Sequence, residues 1–336
     1  MRKLLLSSTA LATAAALTAG SAVADVSISA ETLWSHSSRS SAVVVKDGNY
    51  MATDSEVHLK FSNKTDSGLT LGYTVELDTD GGDTVNDESS LSISGGFGKI
   101  VLGNNDGAGD NYALNALDLI EEENTVNLHA AAATASIGQN SDFAIGSSDS
   151  NKLSYHLPAM GGFTAGVSFT DASSATTAST ETDTTEYGFQ YTQDVEGTVI
   201  TLAAAKGVQE TATAVAEDNT SDALAVRVVS GNISVIASRS TYKAVDEDIY
   251  NKGIGICYDM GTGLILGAYT HSSDDDLDLG EGYDSSGVEA VYTIAAGLTA
   301  IVTVEDYEYK VDSTTHEVTP VADSGTISKV TLRATF

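Results

Sequence analysis

One cysteine, two prolines and one tryptophan in 336 residues close off several architectures at once. The lone Cys257 has no partner for an intramolecular disulfide, so the chain is not a disulfide-stapled scaffold, and Cys257 reads as a small side chain within a strand. Two prolines against 31 glycines suit many strands and tight turns better than packed helices. Basic residues are scarce as well. Sixteen Lys and Arg face 47 Asp and Glu, a formal charge of −31. An acid excess of that size repels nucleic acid and anionic lipid, which excludes DNA or RNA as the partner. Beyond the N-terminal region no stretch reaches the roughly 18 uninterrupted apolar residues of a membrane helix, so any membrane crossing has to be made by strands.

The N-terminal region reads as an export signal over residues 1–24: Arg2 and Lys3, an apolar run from Leu4 to Leu17, and small residues at Ala22–Ala24 before Asp25. From 25 to 336 strand-like stretches recur. "DVSISAETLW" stands alone and is followed by a polar stretch. "EVHLKFS" then turns at "NKTDSG" into "LTLGYTVELD", an alternating hairpin with Asp-Ser-Gly turn chemistry. Six more hairpins follow, and "GTISKVTLRATF" closes the series, which makes sixteen strands in all. Short turns alternate with longer acidic or Ser/Thr-rich loops, among them "KAVDED" and "HSSDDDLDLGEGYDS", so all short turns fall on one side.

Alternation alone fits a soluble sandwich or a membrane barrel, and aromatic placement separates the two. Phe61, Phe97, Phe163, Tyr258 and Phe336 lie beside short turns, whereas Trp34, Phe169, Tyr187, Tyr242 and Tyr307 lie at long-loop ends. Two belts of rings are what a bilayer slab asks for. The expected fold is therefore all-β: a sixteen-stranded antiparallel transmembrane β-barrel. His58 and Lys60 alternate with Val57, Leu59 and Phe61 and so face the lumen, as do Lys329 and Arg333 on the last strand. Arg227 sits between Val226 and Val228 and needs the same aqueous setting. One separator is much longer than the rest: residues 105–150 hold "NYALNALDLIEEEN", whose Leu114, Leu117 and Ile120 predict a short helix over Tyr112–Glu123.

"SGLTLG" at 67–72, "GGFGKIVLG" at 95–103, the long acidic third loop and the terminal Phe336, in that order, resemble the general porins of Gram-negative outer membranes, most closely the alphaproteobacterial type. The resemblance implies a passive outer-membrane diffusion channel for small hydrophilic solutes, a homotrimer, and a third loop (105–150) folded into the lumen. It further implies acidic residues on that loop, here Asp106, Asp110, Asp118, Glu121, Glu122 and Glu123, facing basic residues of the wall, here Arg39, His58, Lys60 and Arg227. Position 104, where many porins carry arginine, is Asn104, and the resulting thin basic wall predicts a cation preference. Phe336 is implied as the signal read by the barrel assembly machinery.

Other readings stand beside these. The Glu121–Glu123 run could be a solvated face. Asp274, Asp276 and Asp278 are weak divalent-cation candidates without EF-hand spacing, better suited to cations that bridge lipopolysaccharide phosphates. No cofactor is expected beyond divalent cations at such acidic loops. An outer-membrane barrel enzyme is the alternative class, but there is no G-x-S-x-G or H-E-x-x-H, and His36, His58, His129, His156, His271 and His316 are scattered. A solute-specific channel is the nearer alternative, and a lumen of Thr, Ser, Gly and charged residues argues against it.

Overall fold

The computed structural model describes residues 25–42, 48–79, 86–120, 150–171, 183–210, 218–244, 247–275, 282–310 and 323–336. The expected export signal lies outside them. Sixteen antiparallel strands form a closed barrel in which every strand pairs with its sequence neighbours and the last returns to the first. The strands are β1 (Asp25–Ser41), β2 (Gly48–Lys64), β3 (Thr70–Asp78), β4 (Glu88–Gly95), β5 (Gly98–Asn104), β6 (Asn151–His156), β7 (Phe163–Thr170) and β8 (Thr184–Val195). They continue with β9 (Thr198–Gln209), β10 (Asn219–Ser230), β11 (Ile233–Ala244), β12 (Glu247–Asp259), β13 (Leu264–Asp275), β14 (Gly282–Ala295), β15 (Leu298–Lys310) and β16 (Asp323–Thr335).

Two boundaries differ from the sequence expectation. β1 and β2 run on through Ser35–Ser41 and Gly48–Ser55, where polar residues predominate and the few apolar ones, Tyr50, Met51 and Ala52, are consecutive and do not alternate. Backbone pairing there needs no apolar face, because the two strands hold their register up to Arg39 opposite Gly48. "KAVDED" is not a long loop either. β11 reaches Ala244 and β12 starts at Glu247, so two residues separate them. The short turns follow their chemistry. Between β8 and β9, Glu196 (φ 53°) and Gly197 (φ 85°) are both left-handed, the backbone of a two-residue I′ hairpin.

Alternation sorts the side chains cleanly. Ile28, Leu202, Ile254, Val288 and Val302 face outward and are about half exposed. Their directly paired neighbours along the sheet are apolar too: Leu202 meets Val226, Ala237 meets Ile254, and Ala290 meets Val302. An apolar belt running right around a barrel far exceeds the few hundred Å² a soluble protein tolerates, and it requires lipid. The belt ends toward the long loops in outward charge pairs, Lys206–Asp222 (3.4 Å), Lys243–Asp248 (3.0 Å), Lys252–Asp274 (4.0 Å) and Lys310–Asp284. Phe97, Tyr258 and Phe336 at one end and Trp34, Phe169 and Tyr187 at the other face outward, as two belts require. Tyr242 and Tyr307 do not belong to the belts. Tyr242 pairs with Ile249 on the inner face, and Tyr307 is buried there.

Candidate functional site

The inner face is occupied first by the chain that follows β5. Lys152 of β6 donates through Nζ to the Asn105 carbonyl and pins the start of the segment. A single helical turn, α1 (Ala108–Tyr112), then lies against β6–β9. Its open N-terminus is satisfied by the wall: Ala108 N donates to Ser168 Oγ (2.9 Å), and Gly109 N donates to Glu186 Oε2 (3.0 Å), a fully buried carboxylate. At its other end Tyr112 Oη donates to the Ala165 carbonyl (3.2 Å) and sits 3.1 Å from His156 Nδ1, while Gln190 Nε2 donates to the Tyr112 carbonyl (2.9 Å). Burial pushes the Tyr112 phenol above its ordinary pKa.

The segment then follows the wall, Ala113 packing against Ala205 and Ala223, to the next strands round the barrel. Ala116–Leu119 form a 3-10 turn over β11–β13, where Ala116 N donates to Ser238 Oγ (2.9 Å) and Leu117 and Ile120 bury against Tyr269. Burying two aliphatic side chains of that size contributes about 1.5–3 kcal/mol each. The helix predicted over Tyr112–Glu123 is thus displaced and split. Asn115 interrupts it: its Oδ1 accepts from Leu117 N (2.5 Å) and Asp118 Oδ2 accepts from Asn115 N (3.0 Å), a capping box that starts a new turn. Backbone approaches wall this closely only because the wall is bare. A Cβ at Gly166 would lie 2.8 Å from the Tyr112 ring and one at Gly253 2.8 Å from Ala116 Cβ, and at Gly188 and Gly255 it would run into the carbonyl oxygens of Ala108 and Ala116.

With Ala108, Ala113, Ala116, Leu117 and Ile120 turned to the wall, Asp106, Asp110 and Asp118 are left on the partly exposed side of the loop. Asp118 also serves as a capping residue. Glu121, Glu122 and Glu123 lie outside the described residues.

On the inner face of β1–β6 the charge changes sign along the strands. The inward row nearest the short turns runs Lys64, Thr70, Ser94, Lys99, His156. Lys60 stands four residues further along β2. Beyond it come His58, Glu76 and Glu88 in one row, then Glu31, Glu56 and Asp78 in the next. His58 Nε2 is 3.2 Å from Glu56 Oε2, and its Nδ1 is 3.0 Å from Glu76 Oε1. Arg333 of β16 approaches Glu31 at 4.0 Å.

Of the residues named from sequence, His58, Lys60 and Arg227 face inward, Arg227 in register with Thr201 and Ile236. Arg39 also faces inward but is closed off near the long loops. Its guanidinium bonds Asp323 (2.8 Å) and Tyr307 (3.1 Å), with both ion-pair side chains 2–3% exposed. Asp274 faces outward beside Lys252, and Asp276 and Asp278 lie outside the described residues. Phe336 faces outward at 65% exposure, and its backbone exchanges two hydrogen bonds with Ala30. The inner wall is less uniformly small and charged than the sequence implied, since Tyr269, Tyr283 and Tyr307 point in from β13–β15. They are buried, and Tyr283 and Tyr307 hand their hydroxyls to Glu305 (3.0 Å) and Asp323 (3.1 Å), so neither presents an open ring face to a solute.

Comparison with known proteins agrees with this architecture. The family profile described as Gram-negative porin matches residues 10–312. No curated protein sequence matches the chain. Among solved structures, the anion-selective porin from Comamonas acidovorans superposes with a TM-score of 0.64 at 14% identity, covering 93% of this chain and 100% of that one. A triple mutant of Rhodopseudomonas blastica porin gives 0.64 at 17% identity with the same coverage. A loop L8 deletion mutant of OmpT, an outer membrane protein of Vibrio cholerae, gives 0.63 at 12%, covering 93% and 99%.

Proposed function

Because the chain belongs to the Gram-negative porin family and is thus a passive outer-membrane channel rather than an enzyme, we propose that it conducts small hydrophilic solutes and ions with a preference for cations. The observation that supports the preference is the acidic stretch of inner wall on β1–β4: Glu31, Glu56, Glu76, Asp78 and Glu88 all face inward. Asp106, Asp110 and Asp118 add charge of the same sign from the in-folded loop. Of the wall's bases, Arg39 is closed in its pair with Asp323, Lys152 holds the Asn105 carbonyl, Lys329 is buried, Arg333 approaches Glu31, and Arg227 faces inward from β10, away from this stretch. Lys60, Lys64 and Lys99 stand nearer the short turns, where they temper the field without reversing it. An anion-selective porin shares this fold, so selectivity follows the inward side chains and not the barrel.

The remaining parts of the reading fit around this centre. Residues 1–24 act as the export signal, three barrels associate through their apolar walls, and Phe336 is recognised during assembly. The outward Lys–Asp pairs above the apolar belt meet lipopolysaccharide, with divalent cations at the acidic loops. A planar bilayer experiment tests the function: under a tenfold potassium chloride gradient, the reversal potential takes the sign of cation preference. An anion-selective potential, or a correctly assembled barrel with no conductance, refutes the proposal.

A further inference from the structure

Glu56 and His58 are two residues apart on β2, so both point inward, and Glu76 of β3 stands directly opposite His58. One ligand atom from each of the three lies within 4.8 Å of the others. We propose that Glu56 and His58, with Glu76 orienting the imidazole, bind a divalent transition ion of the zinc class on the lumen wall.

The geometry is specific. The 3.2 Å between His58 Nε2 and Glu56 Oε2 is close to a ligand–ligand edge in a tetrahedral site with bonds of about 2.0–2.1 Å. Glu76 stands 3.0 Å from the other ring nitrogen, where a carboxylate fixes the tautomer and raises the basicity of the ligating nitrogen. Two adjacent strands hold all three residues, so the site is preorganised by sheet register rather than by a loop. The side chains are 13–24% exposed, which leaves a path for an ion arriving through lumen water. An imidazole among the donors favours zinc, copper or nickel over calcium and magnesium, which take all-oxygen shells. Glu31, Asp78 and Glu88 in the adjoining rows offset the ion's charge. Occupancy sets a double positive charge in the acidic stretch and lowers cation current. That electrical effect rests on the channel reading, whereas binding itself does not.

Two measurements on the full-length barrel test the site. After dialysis from micromolar zinc into metal-free buffer, the wild type retains one more zinc per barrel than His58→Gln. In a neutral-lipid bilayer, micromolar zinc reversibly reduces the current and the same concentration of magnesium does not. His58→Gln or Glu56→Gln raises the half-blocking concentration at least tenfold, and Glu76→Gln raises it about 10- to 100-fold. Glu289→Gln, an inward acid on β14, leaves it unchanged. Should His58→Gln fail to assemble, as judged by heat-modifiable gel mobility, the Glu56→Gln comparison decides. Equal block and equal retention in wild type and variants overturn the site. Retention by a barrel that carries no current upholds the site and refutes the channel reading.

Discussion

Neutralising both carboxylates around His58, as Glu56→Gln/Glu76→Gln, removes two negative charges from the acidic stretch without changing side-chain volume. A cation passing about 5 Å from each carboxylate in water gains about 0.8 kcal/mol per charge, or about 1.7 kcal/mol from the pair. At 0.1 M salt the Debye length is about 10 Å, which leaves about 1 kcal/mol, a factor of about five in cation occupancy. At 1 M the Debye length falls to about 3 Å and the factor drops below about two. The assay is the reversal potential of single channels in EDTA-treated potassium chloride gradients centred on those two concentrations. Because the same charges repel anions by the same energy, cation over anion permeability falls by the square of these factors, about 25-fold at the low salt and less than about fourfold at the high salt. A ratio unchanged at 0.1 M would refute the assignment of selectivity to this stretch, and an equal fall at both concentrations would refute its electrostatic origin.

Arg39→Met leaves Asp323 charged and 3% exposed, which costs about 3–5 kcal/mol, and Arg39→Met/Asp323→Leu recovers most of it; the readout is the temperature at which the barrel loses its compact gel mobility. Gly255→Ala drives a methyl into the Ala116 carbonyl, so the 3-10 turn lifts from β12, protease cuts the third loop faster and open-channel noise rises. Gly267→Ala meets only the end of the Ile120 side chain at 3.0 Å and leaves both readouts near wild type. Phe336→Ser keeps the backbone bonds to Ala30 but removes the outward ring, so assembled yield drops several-fold while the conductance of the assembled fraction stays the same.

The barrel was legible because its two demands write themselves into a single chain. Lipid selects every second residue of "LTLGYTVELD" to be apolar, and the seven short turns repeat Gly-containing chemistry. The same alternation could have placed Glu76, Asp78, Glu88 and Lys99 on the lumen wall, since they share a face with Thr70, Thr74 and Ser90. What it could not supply is which inward residues meet. Glu56 comes to lie between Glu31 and Asp78 through strand register, and register depends on turn geometry and loop length. The anchors of the third loop were invisible for a related reason: Glu186 serves Gly109 from 77 residues away and Ser238 serves Ala116 from 122. Tyr307 was misassigned because an aromatic at a strand end can turn either way, and its phase along β15 pairs it inward with Ser285.

The meeting of β1 with β16 makes completion of this molecule an all-or-nothing event. One end of the seam is fastened by the paired Ala30 and Phe336 backbones, the other by Ala42 N on the Ser324 carbonyl (2.7 Å) and by Arg39 on Asp323, partners 284 residues apart. Separation along the chain is a minor obstacle, because closing a loop of that length costs only about 1 kcal/mol more than closing one of about a hundred residues. Order of events is the real constraint. No run of fewer strands finds its own partner, so a chain stopped at any earlier point carries two raw sheet edges. An unfinished copy therefore differs from a finished one in its unpaired backbone, whatever side chains it carries.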